Sequence, residues 1–251
     1  MREAPVLIDA SDLCYRELNQ RIRNAVRAGE KLFELVNVRG QRYIGDGIKG
    51  EDIQIKIRGV PGNDLGAFMD GPTIEVYGNA QDAVANTMNA GRIVVEGDAG
   101  DVLGYGMRGG ELFVRGNVGY RVAIHMKAYR RRRPVLVAGG TAGDFLGEYM
   151  AGGLVIVLGL DRREGDGVVG DWCGTGMHGG AIYVRGEIEP GRVASRFAHV
   201  GPAQESDLEE VRPQVEAFCE AFSLDAGEIL SERFVRVAPV SHRPYGAKYA
   251  P

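Results

Sequence analysis

The sequence predicts an all-β fold, a single-stranded parallel β-helix with α-helices flanking it at both ends. Three observations carry that reading. Glycine supplies 38 of the 251 residues, roughly double the usual share of about 7%, without collagen period or Ser/Pro bias. Gly59, Gly78, Gly97 and Gly116 recur every 19 residues, and Gly140 and Gly167 continue the series after inserted residues. Ten residues after each of these six glycines stands a methionine, at Met69, Met88, Met107, Met126, Met150 and Met177. A fixed period of this size means one supersecondary unit repeated and stacked.

The strand of each unit precedes its glycine. With Gly40, Gly159 and Gly186 placed in the same column, apolar pairs lie four and two residues upstream. They are Val36/Val38, Ile55/Ile57, Ile74/Val76, Ile93/Val95, Leu112/Val114, Leu136/Ala138, Val155/Val157 and Ile182/Val184. Alternation of β-branched residues is a strand signal. Six residues after the glycine runs a second apolar column, Leu65, Val84, Leu103, Val122, Leu146 and Cys173. One such coil cannot bury its own apolar face, so neighbours stack at about 4.8 Å with like residues in ladders. The length allows seven to eight coils of 19 residues, and the expected hand is right-handed. Glycines three and seven residues into the coil, such as Gly100, Gly119, Gly104 and Gly147, mark corners needing positive φ or close backbone approach. Methionine suits the irregular corner because it is unbranched and adaptable.

The two ends need caps, because open strand edges invite aggregation. Residues 1–32 read as a helical cap, with Ser11 as N-cap and Cys14, Leu18, Ile22 and Ala25 on one stripe. Residues 33–200 hold the β-helix. Residues 201–251 hold an amphipathic helix over 205–222, with Leu208, Val211, Val215, Phe218 and Phe222 on one face. After it comes an extended tail from Phe234, in which Pro239, Pro244 and Pro251 oppose helix. One outward column, three residues before each glycine, changes character. Asn37, Lys56 and Glu75 are polar; Val94, Phe113, Val137, Ile156 and Tyr183 are apolar or aromatic. Either the C-terminal helix or another protein covers that face, which makes these five residues a candidate partner interface. The one concentrated charge, Lys127 with Arg130, Arg131, Arg132 and Arg133, is a solvated loop or a second contact for an acidic partner.

Most chemical motifs dissolve into the repeat. Three GxGxxG matches, opening at Gly45, Gly104 and Gly174, share one register and lead into strands, whereas a dinucleotide fingerprint opens a helix. The methionine column packs a core without a soft metal. Asn63, Asp82, Asp101, Asp144 and Asp171 recur four residues into the coil. They lack the nine-residue period of calcium β-rolls and are expected to bond the turn's own backbone. Cys173 lies in an apolar column, and Cys14, Cys173 and Cys219 form neither a disulfide framework nor a cluster-ligand set. His125, His178, His199 and His242 show no paired metal spacing. A net charge of -4 gives no global attraction to nucleic acid or to an anionic membrane. No run approaches the roughly 20 apolar residues of a membrane span, so a cytoplasmic protein is expected.

Two segments resemble the GXGXG family, the C-terminal β-helix domain of the glutamate synthase large subunit. They are Gly100-Asp-Val-Leu-Gly-Tyr-Gly-Met-Arg-Gly-Gly110 and the longer run from Gly143 to Gly159, with Glu148-Tyr149-Met150 at its centre. The resemblance covers about residues 33–190. It implies a non-catalytic scaffold in a complex that makes glutamate from glutamine, 2-oxoglutarate and reductant. The expected partners are a glutaminase-type amidotransferase and a synthase subunit holding FMN and an iron–sulfur cluster, with self-association as an additional option. No cofactor, metal or catalytic residue is assigned to this chain. The repeat is also similar to the β-helix subunits of formylmethanofuran dehydrogenase and of formyltransferase/hydrolase complexes, and to a subunit of N-methylglutamate synthase. A third reading is an independent β-helix that binds its own ligand.

Overall fold

A computed structural model describes residues 4–163 and 165–241. His242, Pro244 and Pro251 lie outside the described residues. The chain opens with β1 (Val6–Asp9) and α1 (Tyr15–Arg27). The repeat then lays down β2 (Leu32–Arg39), β3 (Gln54–Val60), β4 (Asp70–Tyr77), β5 (Ala90–Val95), β6 (Glu111–Val114), β7 (Val135–Ala138), β8 (Ala151–Val157) and β9 (Gly179–Arg185). From β1 to β9 every neighbouring pair is parallel and consecutive in sequence. Parallel pairing of strands adjacent in sequence needs a full turn of chain between them, which makes the fold a parallel β-solenoid. It completes about six turns, slightly fewer than the expected seven to eight.

An irregularity corrects the first coil. The expected inward pair was Val36/Val38 with Gly40 as the opening glycine. Instead Phe33 and Leu35 stack on Ile55 and Ile57, and after a register shift Val38 lies opposite Gly59. Asn37, at φ 59°, forms the bulge and donates its side-chain amide to Asp9 Oδ1 at 3.0 Å. The outward residue level with Lys56 is therefore Glu34, not Asn37. A bulge carries extra residues on one strand, and a spacing count cannot see it.

The interior holds the expected ladders. All six repeat methionines are buried, as are Leu65, Val84, Leu103, Val122, Leu146 and Cys173. At the N-terminal end α1 closes the stack with Leu18 and Ile22 buried. Its N-cap is Cys14, whose backbone N–H donates to Glu17 at 3.0 Å. Ser11, expected at the cap, instead gives its N–H and hydroxyl to Asp9. Those bonds and the Asn37 amide hold the Asp9 carboxyl down at about 2.

The C-terminal end is closed by strand rather than helix. β11 (Phe234–Pro239) pairs antiparallel with β9, and β10 (Ala198–Pro202) pairs antiparallel with β11. The helix expected at that end, α2 (Glu205–Phe222), lies along the side of the solenoid, followed by α3 (Ala226–Ser231). Val211, Val215, Phe218 and Cys219 of α2 form a second core with Phe113, Val137, Ile156 and Tyr183. The strand residues from coils with an apolar outward position thus face α2, while Glu34, Lys56 and Glu75 stay in a solvated ion-pair lattice.

Candidate functional site

The apolar outer column is closed to partners. Phe113, Val137, Ile156 and Tyr183 are fully buried and Val94 packs at the margin. The Phe113 and Phe218 rings meet edge to face at 5.9 Å. The Tyr183 hydroxyl donates to Asp207 at 2.8 Å, tying the N-terminal turn of α2 to β9. Burial and this bond to a carboxylate push the Tyr183 hydroxyl up to about 12. The expectation of a partner interface on this column is therefore corrected: the chain's own helix takes it, because burying that area within one molecule costs no association entropy.

The arginine loop is also largely committed. Tyr129 and Arg132 close it with two backbone bonds at 3.0 Å. Arg132 reaches back to Asp70 at 2.7 Å and to the Asn89 carbonyl at 3.2 Å. Arg133 pairs with Glu210 of α2. The loop is a strap between two earlier coils and the covering helix. Lys127 and Arg131 have no ion-pair partner among the described residues, and Arg130 lies over the Tyr129 ring.

The polar columns hold the coils to one another. The Asp101 N–H donates to Asp82 Oδ1 at 2.9 Å, Tyr120 N–H to Asp101 Oδ1 at 2.9 Å, and Asp171 N–H to Asp144 Oδ1 at 2.8 Å. A second ladder runs one residue after the coil glycine: Asp98 N–H to Asn79, Asn117 N–H to Asp98, Thr141 N–H to Asn117, at 2.7–3.0 Å. The expected bonds within each turn are replaced by bonds to the next coil. This explains Gly100 and Gly119, for a Cβ there would overlap the Oδ1 of Asp82 or Asp101 beneath it. Close approach, not positive φ, fixes glycine at those positions. Positive φ is needed elsewhere. Residues five, seven and nine into each coil are left-handed, Val102, Gly104 and Gly106 for example at φ 52°, 64° and 57°. The GxGxxG glycines are thus two left-handed corner positions and a strand entry, not a phosphate cradle.

This left-handed corner gathers five of the exposed large hydrophobic side chains among the described residues. Phe68, Tyr105, Tyr120, Tyr149 and Trp172 all project from it, Trp172 at 60% exposure. His125 stacks on Tyr149 at 5.3 Å with 12° between planes and meets Tyr105 edge-on at 5.9 Å. The Tyr149 ring overlies Gly176 of the next coil, where any Cβ would collide with it. Beside them Glu148 is buried, with its carboxylate 3.3 Å from Arg121, whose guanidinium lies over Phe145. Sequence spacing missed this ridge because its aromatics occupy four different offsets and form no single column. Their common signal is that all of them flank the buried leucine and methionine columns.

Cys173 is fully buried and its thiol is pushed up to about 12 by desolvation, so it serves as a core residue rather than a nucleophile. Among the described residues, no group of three or more His, Cys, Asp or Glu side chains is disposed to hold a metal ion, and no helix is long and apolar enough to cross a membrane.

Comparison with known proteins agrees with this architecture. The uncharacterized protein MJ1350 of Methanocaldococcus jannaschii is 50% identical over 253 residues, covering 98% of this chain and 97% of the relative. The GXGXG motif family matches residues 14–240, a span that takes in α1, the repeat from β2 to β9 and α2. The chain belongs to the GXGXG motif family.

Proposed function

We propose that this protein is the scaffold subunit of a glutamate synthase-type complex. It docks a glutaminase-type amidotransferase and a synthase subunit carrying FMN and an iron–sulfur cluster, and it performs no chemistry itself. The observation that carries the reading is the family match across residues 14–240, a span that includes the Glu148-Tyr149-Met150 run. The disposition of polar groups supports it. Asp82, Asp98, Asp101 and Asp144 spend an oxygen each on the next coil's backbone, which stiffens the stack rather than activating a substrate. About six turns at roughly 4.8 Å each give a rod of about 30 Å. Such a rod holds two catalytic partners at a fixed separation, as directed transfer of ammonia requires. Since α2 covers the outer column, docking falls to other faces.

The test is a native pull-down of the full chain from its own cells, read by mass spectrometry and flavin absorbance. An FMN protein together with a glutaminase-type amidotransferase is the expected result. Recovery with a tungsten, molybdenum or zinc formyl-transferring subunit and no flavin would replace this reading with the formyl-complex one. Glycan or small-ligand binding by the chain alone, with no partner, would overturn both.

A further inference from the structure

We propose that the left-handed corner is the contact between two copies of this chain, packed side by side about a two-fold axis that runs along the solenoid. Two outward rows border the aromatic ridge, the first of them contributing Tyr120 to it. Four residues after the coil glycine stand Asn63, Asp82, Asp101, Tyr120, Asp144 and Asp171; eleven residues after it stand Asp70, Asn89, Arg108, Lys127, Ala151 and His178. None of these side chains is buried. The first row is acidic, and the second carries the cations.

A two-fold contact is isologous, so each patch must complement itself. An axis along the solenoid keeps heights equal and sets the first row of one copy against the second row of the other. Asp101 then faces Arg108, Tyr120 faces Lys127, Asp171 faces His178, Asp82 faces Asn89, and Asn63 faces Asp70. At no height do like charges meet. An axis across the solenoid reverses the heights and sets each row against itself, bringing Asp82 to Asp144 and Arg108 to Lys127. Like charges placed face to face suppress the wrong arrangement, so the row order selects the parallel pairing.

The apolar area is sufficient. Phe68, Tyr105, Tyr120, Tyr149 and Trp172 are 42–60% exposed. At about 150–250 Å² for each aromatic side chain, covering them hides on the order of 500 Å² per copy, against about 800 Å² in a standard interface. Tyrosine and tryptophan are also the side chains that dominate contact energies. The four coils from Gly97 to Gly167 each add one aromatic to the ridge, and Phe68 adds another two coils before Tyr105.

The experiment is sedimentation equilibrium of the purified full chain, without other subunits, up to about 100 μM, where self-association becomes visible by mass action. The expected species has twice the 27.1 kDa chain mass. Arg108→Glu sets a glutamate against Asp101 and is expected to weaken the dimer at least about tenfold. Adding Asp101→Asn removes the new repulsion while keeping the Oδ1 that accepts the Tyr120 N–H, and should recover most of that loss. A merely structural effect of Arg108→Glu would not be rescued. Trp172→Ser should dissociate the dimer with the circular dichroism spectrum unchanged. A monomer at all concentrations overturns the proposal, as does a dimer indifferent to all three variants. Should the ridge variants release a different subunit from a monomeric chain, the surface belongs to that subunit and the second copy is excluded. Because no other subunit is present in the sedimentation measurement, its result stands whatever the pull-down finds.

Discussion

Phe218→Ala tests whether α2 is a fixed part of the solenoid wall. Phe218 is fully buried, its ring meets Phe113 at 5.9 Å and Phe222 at 4.7 Å, and its tip occupies the space a side chain at Gly139 would take. Removing a phenyl group that buries about 200 Å² forfeits on the order of 4 kcal/mol at about 25 cal/mol per Å², and measured Phe→Ala changes in cores run about 3–5 kcal/mol. Urea unfolding followed by circular dichroism gives the stability change. A hydrophobic dye and amide hydrogen exchange of β6 to β9 show whether the column is uncovered. The expected outcome is a loss of about 3–5 kcal/mol, with raised dye binding and faster exchange at the α2 backbone. Phe222→Ala, at a half-buried position, should cost clearly less. A Phe218→Ala loss below about 1 kcal/mol, the range of surface substitutions, would refute the packing of α2 on the outer column. It would make Val94, Phe113, Val137, Ile156 and Tyr183 docking residues again.

Gly100→Ala should cost about 2–3 kcal/mol in chemical denaturation, since the added methyl displaces Asp82 Oδ1 and with it the bond to the Asp101 N–H; a neutral result would show that the ladder relaxes freely. Ala83→Gly, at φ 58° and only partly buried, should leave stability unchanged or raise it by up to about 1 kcal/mol, because glycine relieves left-handed strain at an entropic cost; a clear loss would contradict the corner geometry. The Tyr183 hydroxyl is raised from the ordinary tyrosine value of 10.0 to about 12, so its protonated form is favoured by folding. Its stabilising contribution is complete below the ordinary value and is lost as pH rises through the folded one. Tyr183→Phe should therefore flatten the alkaline limb of the stability curve, and an unchanged limb would assign alkaline unfolding to other groups. A thiol reagent at neutral pH should modify exposed Cys14 rapidly and spare Cys173, buried and raised to about 12, until the chain unfolds; equal rates would place Cys173 outside the core.

Periodicity determined the solenoid, because every coil repeats the same burial problem and like residues must stack on like. The buried methionine, leucine and strand columns and the corner register of the GxGxxG glycines were legible in the spacing of Gly59 to Gly167, and the 205–222 helix in its own apolar stripe. The tertiary structure decided what a single coil cannot encode. The bulge at Asn37 is bonded to Asp9 of β1, and spacing alone displaced the inward pair of the first coil by three residues. The carboxylates of Asp82 and Asp101 bond the coil above, a partner nineteen residues away that local turn chemistry ignores. The pattern showed that Val94 to Tyr183 must be covered, but not by what, since an amphipathic helix and another protein satisfy the same apolar stripe. Only the placement of α2 along the wall settled that choice. It left the left-handed corner, with aromatics drawn from four offsets, as the exposed apolar surface, a grouping that exists only once the coils are wound.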